Sequence, residues 1–518
     1  MSTMNKKKVQ AIVRVALVFC ILVILNFISV RLFGRLDLTK SRLYTLSDAS
    51  KNLVRNLDDK VTIKAYFTED LPAPYNANRR QVLDILNEYK AYANGNIQFE
   101  FINPEGEKAE QEAQQAGIPP VEVQVIKEDK FEVKRAYLGL VFLYEDRKEV
   151  IPVVQNLGSL EYDISSAIKR LTARTRKRIG YTTGHQEQEI NSMQQVSQEL
   201  NKQYEIVPVD LSSSSSTIPS DLAALLIIAP KSKFSDSAMY QIDQYIMRGG
   251  KVAFLLDKMN ASLQQRYAQP IDLGLEPMLE NYGIRVNNDL VRDMQCATIG
   301  IVQQQGPFRI QSQIPFPYLP MASEMDRNNP IVKDLQSVVF FFVSSLDTTG
   351  AVQKGLHPEV LIRTSKYSGR QNGFVMLDPF HRYTEEEMSE HGIPLAAIVS
   401  GSFTSYFTGK NLIPQITKSP ETQIIVVGDG DFMQDDFAGS KGNINFFVNI
   451  VDYLADDAGL ITIRSKDVVQ PPLEQVSDSW KKVIKYGNLL LPPLIVIGYG
   501  LIRWRRRIAW KKAMEQQV

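Results

Sequence analysis

Cysteine is almost missing. The 518 residues contain Cys20 and Cys296 and no C-x-x-C pair, which excludes dithiol chemistry and leaves Cys296 to be read as a buried, inert thiol. Neither G-x-x-x-x-G-K-[ST] nor a strand-linked G-x-G-x-x-G occurs, so any ATP hydrolysis belongs to another chain. There is no G-x-S-x-G elbow, and Cys296 has no convincing partner for nucleophilic work. Histidine is scarce: His185, His357, His381 and His391 are too dispersed to suggest a ligand set.

Charge is present but unevenly placed. A net charge of +1 hides basic ends of about +6 (before Asp37) and about +8 (from Lys481) around a middle of about −13. An acidic globular middle argues against nucleic acid as a partner. The basic ends flank two apolar runs, Val15 to Val30 and Tyr486 to Ile502. These predict transmembrane helices over 11–33 and 483–503, the second kinked at Pro492 and Pro493. A cleaved signal peptide is the alternative for the first run, but Arg31, Leu32, Phe33 and Gly34 make a poor cleavage site. The positive-inside rule puts residues 1–10 and the basic tail 504–518 in the cytoplasm of a bacterial inner membrane, with the large domain in the periplasm.

Between the runs, strand and helix signals alternate. Val61 to Phe67, Ile97 to Ile102, Val121 to Ile126 and Tyr137 to Tyr144 read as strands, with helices at Arg79 to Tyr92, Glu107 to Ala116 and Leu160 to Leu171. That order predicts a thioredoxin-like domain over 36–175, without thiols and so without redox function. From 176 to 470 the runs Arg178 to Thr182, Glu205 to Asp210, Leu222 to Ala229, Lys251 to Leu256 and Gln423 to Val427 alternate with helices. They predict a parallel α/β sheet interrupted by an insertion at about 260–418. Val338 to Ser344 reads as a buried strand inside that insertion.

Two polar clusters follow predicted strands, where α/β proteins place ligand-binding groups. His185 with Glu187 and Glu189 lacks a second histidine, and a capped strand-to-helix turn explains it without a metal. Asp429, Asp431, Asp435 and Asp436 do not have EF-hand spacing. His185, Glu187, Asp429 and Asp431 are therefore carried forward as a ligand or partner surface, with no catalytic residue, metal or cofactor assigned.

Several phrases then resemble the GldG family of ABC-transporter auxiliary subunits: Leu43-Tyr44-Thr45-Leu46-Ser47, Leu160-Glu161-Tyr162-Asp163, Gly184-His185, Ile242-Asp243-Gln244-Tyr245 through Gly249-Gly250-Lys251, and Gly428-Asp429-Gly430-Asp431-Phe432. The resemblance implies a non-catalytic subunit linked to gliding motility, working with a multi-spanning permease and a cytoplasmic ATPase. It also implies a class I glutamine-amidotransferase-like fold without its catalytic pair. Pro492 and Pro493 are then the expected permease contact. The rival readings are a periplasmic small-molecule or glycan-binding protein and an envelope hydrolase using His185 and the Asp429 cluster.

Overall fold

A buried carboxylate organises the start of the folded chain. Glu161, 5% exposed, accepts the Ser47 N–H and the Ser50 hydroxyl, both at 2.6 Å. Ser47 in turn caps the helix Asp48–Arg55 through the Ser50 N–H, an arrangement that contributes about 1 kcal/mol. In this computed structural model the described residues are 45–456, less 70, 72–74, 128–129, 155–156, 174, 306–307, 334, 411, 413 and 436–439, with positions 17, 21, 459, 461 and 463 and the helix 478–515.

The first sheet has four strands in the order Ile97–Ile102, Val61–Phe67, Leu138–Tyr144, Arg147–Ile151. The first pair is parallel and the other two junctions are antiparallel. Alternation sets its core face: Val61, Ile63, Ala65 and Phe67 are buried, as are Leu138, Leu140 and Phe142 opposite them. The crossover helix Tyr75–Tyr92 brings Val82, Leu86 and Tyr89 onto that face, and the helix Leu160–Thr172 adds Ile164, Ile168 and Leu171. The Tyr89 hydroxyl lies 2.6 Å from Ser165 Oγ, and Ser165 also meets Ser50, so this helix pair joins the Glu161 network.

The second sheet has eight strands: Glu324–Met325, His357–Arg363, Pro394–Thr404, Lys418–Val427, Val252–Leu255, Leu222–Ile228, Arg178–Thr183 and Glu205–Asp210. The last five are mutually parallel, whereas the first three join by antiparallel pairing. Alternate residues serve opposite faces. Leu225, Ile227, Phe254 and Val426 pack with the helix Asp236–Met247 on one side; Leu226, Ile228, Leu255 and Val427 pack with the helix Lys441–Leu454 on the other.

This corrects the expected parallel sheet with an insertion over 260–418, because that segment supplies three strands of the same, mixed sheet. The expected strand Val338 to Ser344 also fails to form beyond Val338–Val339. Its amides alternate between partners: Phe340 and Phe342 donate to the Pro320 and Tyr318 carbonyls of the strand Phe308–Ala322, whereas Asn443 Oδ1 accepts from Val339, Asp429 Oδ2 from Phe341 and the Gly428 carbonyl from Ser344. On the side away from that strand the backbone is satisfied by side chains and a loop, so no second ladder is needed.

Residues 469–518 form a separate unit whose described part is the helix Asp478–Glu515, running unbroken through Pro492 and Pro493. The expectation of two membrane-spanning helices is overturned here: among the described residues, no helix is long and apolar enough to cross a membrane. The physical reason is local. The run from 486 to 502 contains Asn488, two prolines and Gly487, Gly498 and Gly500, and lies between Lys485 and Arg503. The first expected span, 11–33, lies outside the described residues except at 17 and 21.

Candidate functional site

Within the parallel half of the large sheet, the strand order reverses at Arg178–Thr183. Arg178–Thr183 is followed by Glu205–Asp210 on one side and by Leu222–Ile228 on the other. Such a reversal opens a crevice at the carboxyl ends of the two diverging strands, where open α/β sheets take ligands. The loop 184–189 leaves the first of these strands, and the loop 229–232 leaves the other.

Both loops hold strained backbone: Gln186 and Ala229 sit at φ of 56° and 45°, each costing on the order of 1–3 kcal/mol. They are tied together, since the His185 carbonyl accepts the N–H groups of Lys231 and Ser232 at 3.1 Å, and the Gln188 N–H donates to the Ile228 carbonyl. The His185 ring is 5% exposed and stacks on Phe234 with centroids 3.9 Å apart and planes 8° from parallel. Its Nδ1 lies 3.7 Å from Glu187 Oε1, and neither atom has a hydrogen-bond partner among the described residues. Burial works to raise the Glu187 carboxyl. The His185 ring and backbone, with its own amide and the Thr182 hydroxyl, outweigh it and hold that carboxyl below the usual range.

Lys231 connects this loop to the second cluster. Its ammonium donates to Asp257 and stands 3.6 Å from Asp431 Oδ2. Asp257 Oδ1 accepts the Gly430 N–H at 2.6 Å. Asp429, fully buried, accepts from Phe341 at 2.6 Å and from the Asp431 N–H at 2.7 Å. Gln434 donates to both Asp431 and Gln188, closing the link to the His185 loop. Burial, then the charge of Asp257, pushes the Asp431 carboxyl up to about 7, and Asp429 is driven well above its ordinary value for the same reasons plus the charge of Asp431. Burial acts to lower the Lys231 pKa, but Asp257, Asp431 and Asp429 overcome it and raise it.

All four residues singled out in the sequence thus lie on this edge, in two loops. Sequence reasoning missed Lys231 and Asp257, which unite them, and Gln188 and Gln434. A signal existed: Lys231 and Asp257 are the first charged residues after the apolar runs 222–229 and 252–256. Asp435 serves another purpose, accepting the N–H groups of Gln194 and Gln195 at the start of the helix Gln194–Asn201.

Chemically the crevice is a charge-compensated polar surface. Lys231 occupies the position of a counter-ion, and among the described residues no group of His, Cys, Asp and Glu is arranged to hold a metal. Cys296 lies in a different, three-stranded sheet, with its thiol pushed up by burial.

Asp431 gives the crevice a pH signature. Its folded value of about 7 exceeds the unfolded value, so the native state holds the proton more tightly. Stability is then highest below the unfolded pKa, falls as pH rises toward 7, by at most about 1.4 kcal/mol per unit for one group, and levels off above. Asp431→Asn is expected to flatten that fall in chemical denaturation curves between pH 5 and 8. An unchanged slope would mean that Asp431 is ionised throughout.

A mixed α/β protein with a polar crevice at its strand-order reversal is the class that fold and site define. Residues 176–455, which carry the crevice, match the model of a family described as an ABC-type uncharacterized transport system, and the chain belongs to this family of auxiliary transport components. Residues 40–143 match a domain of unknown function, DUF7088. An uncharacterized protein of Borreliella burgdorferi is 24% identical over 494 residues, covering 93% of this chain and 94% of its own. Among solved structures, the mmIFT52 N-terminal domain aligns with 54% of this chain and 97% of its own at 16% identity and a TM-score of 0.34.

Proposed function

We propose that this protein is a non-catalytic auxiliary subunit that docks another component of its transport system, a permease or the ligand delivered to it, at the Lys231–Asp257–Asp431 crevice. The observation that carries the reading is the position of this polar, strained crevice at the strand-order reversal, inside the family-matched segment. What supports a non-catalytic role is the state of the polar groups. Both Asp429 oxygens are bonded to backbone amides, and the His185 ring is covered by Phe234. The finer reading, a GldG-type subunit coupling a cell-envelope ligand to the permease, rests on the phrases around Glu161, Asp243 and Asp429.

Purification of the tagged full chain from its native host in mild detergent is expected to recover a multi-spanning permease and an ATPase. Reversing charge on the exposed rim, Glu189→Arg, is expected to reduce that recovery by about tenfold while leaving the melting curve in place. Recovery of neither partner by the unaltered chain would overturn the transport reading. Full recovery by the variant would remove the crevice from it.

A further inference from the structure

A cavity of about 990 Å³ is lined by none of the crevice residues. It is lined by the segments 285–289, 346–349 and 370–373 and by the adjoining strands His357–Arg363 and Pro394–Thr404. This volume is at the upper end of the range for small-molecule sites. Three arginines face it. Arg285 is held by Asp347 at 2.8 Å, and Arg370 by Glu390 at 2.7 Å through Nε. The buried Asp289 has both oxygens engaged by the Ser345 amide and hydroxyl, at 2.8 and 2.6 Å.

Arg363 differs from the other two. Its hydrogen bond is from Nη1 to the Gly392 carbonyl at 3.1 Å, and no carboxylate pairs with it among the described residues. A guanidinium has five N–H donors in a planar fork, so Arg363 keeps a free edge suited to a carboxylate or phosphate. Around it the side-chain amides of Asn288 and Asn372 make no protein hydrogen bond among the described residues, and each offers donors and an acceptor. The carboxylates that hold Arg285 and Arg370 have remaining lone pairs for hydroxyl donors. Leu346, Val360 and Pro394 supply an apolar floor.

One unpaired cation, free amides, part-used carboxylates and an apolar base fit a ligand bearing one anionic group and several hydroxyls on a carbon ring. We propose that this cavity binds a sugar acid or a sugar phosphate, with Arg363 on the anion and Asn288 and Asn372 on hydroxyls. This site is independent of the docking crevice.

Titration calorimetry of the full chain with glucuronate, glucose 6-phosphate, glucose and inorganic phosphate tests it. Saturable binding is expected from glucuronate or glucose 6-phosphate, and whichever binds identifies the anion as carboxylate or phosphate. Loss of one charge-assisted contact in Arg363→Gln should weaken that binding about ten- to a hundredfold. Asn372→Ala should weaken it less, and both variants should melt like the parent, since both side chains are exposed. The proposal is overturned if neither anionic sugar binds, if glucose or inorganic phosphate binds equally well, or if Arg363→Gln leaves the affinity unchanged.

Discussion

Asp243→Ala is expected to cost about 3–5 kcal/mol of stability, because it strands several buried donors at once. Asp243 is fully buried on the helix Asp236–Met247 and accepts from the Tyr282 hydroxyl at 2.7 Å, the Ser405 hydroxyl at 2.7 Å and the Tyr406 N–H at 2.8 Å. The neighbouring Gln244 amide donates to it as well. These partners come from the loop after residue 404 and from the end of the helix Glu276–Asn281, so one carboxyl pins two distant segments to one helix. Asp243→Asn keeps the shape but replaces an acceptor with a donor, and should fall between the parent and the alanine variant. Chemical denaturation monitored by circular dichroism measures both. A loss of less than about 1 kcal/mol in Asp243→Ala would show that water or a repacked side chain replaces the carboxyl.

Gly428→Ala should be worse still, and it acts by collision instead of by lost bonding. A Cβ at this position would lie 1.9 Å from the Ser344 carbonyl oxygen and 2.9 Å from its carbon. Both are backbone atoms, and the Ser344 N–H is simultaneously bonded to the Gly428 carbonyl at 2.7 Å, so neither strand of contact can withdraw without breaking the other. We expect a loss above about 4 kcal/mol and little soluble protein. Gly409→Ala is the control: its φ is +81° but its Cβ would meet nothing within 4 Å, so the cost is backbone strain alone, about 1 kcal/mol. Soluble yield and urea midpoints separate the two. Parent-like behaviour of Gly428→Ala would mean that the segment 340–344 moves freely off the sheet edge.

The contrast explains which parts of this molecule were legible in its sequence. Strands whose core face repeats every second residue, such as Val61–Phe67, or whose faces are both buried, such as Leu222–Ile228, stand where their patterns put them. Helices with a three-to-four residue apolar repeat behave similarly, Leu160–Thr172 among them. Within the sheets and at the site the failures share one cause, which is that partners distant in sequence decided the outcome. VVFFFVS is as apolar as any strand, yet Asn443, Asp429 and Gly428 claim the amides of Val339, Phe341 and Ser344. The strands His357–Arg363 and Pro394–Thr404 give clear local signals, but nothing local states that they enter the sheet begun at Arg178. At the candidate site, each loop announced itself by polar residues after an apolar run. Lys231 and Asp257 appeared unremarkable singly, because their meaning lies in meeting each other and Asp431. The C-terminal run was read by its leucines and isoleucines, whereas its glycines, prolines and flanking charges decided its character.

The eight-stranded sheet also sets a clock for the newborn chain. Val252–Leu255 has Lys418–Val427 as its parallel neighbour on one side, so that edge stays open until the later strand has been made. At a synthesis rate of about 5–20 residues per second, the wait is roughly ten to thirty seconds. For that interval Val252–Leu255 offers an unpaired, hydrophobic border to whatever is nearby. The three antiparallel strands made in between can assemble with one another but have no central partner until residue 427 appears. A chaperone acting on this protein would therefore be needed between the making of Val252–Leu255 and that of Lys418–Val427.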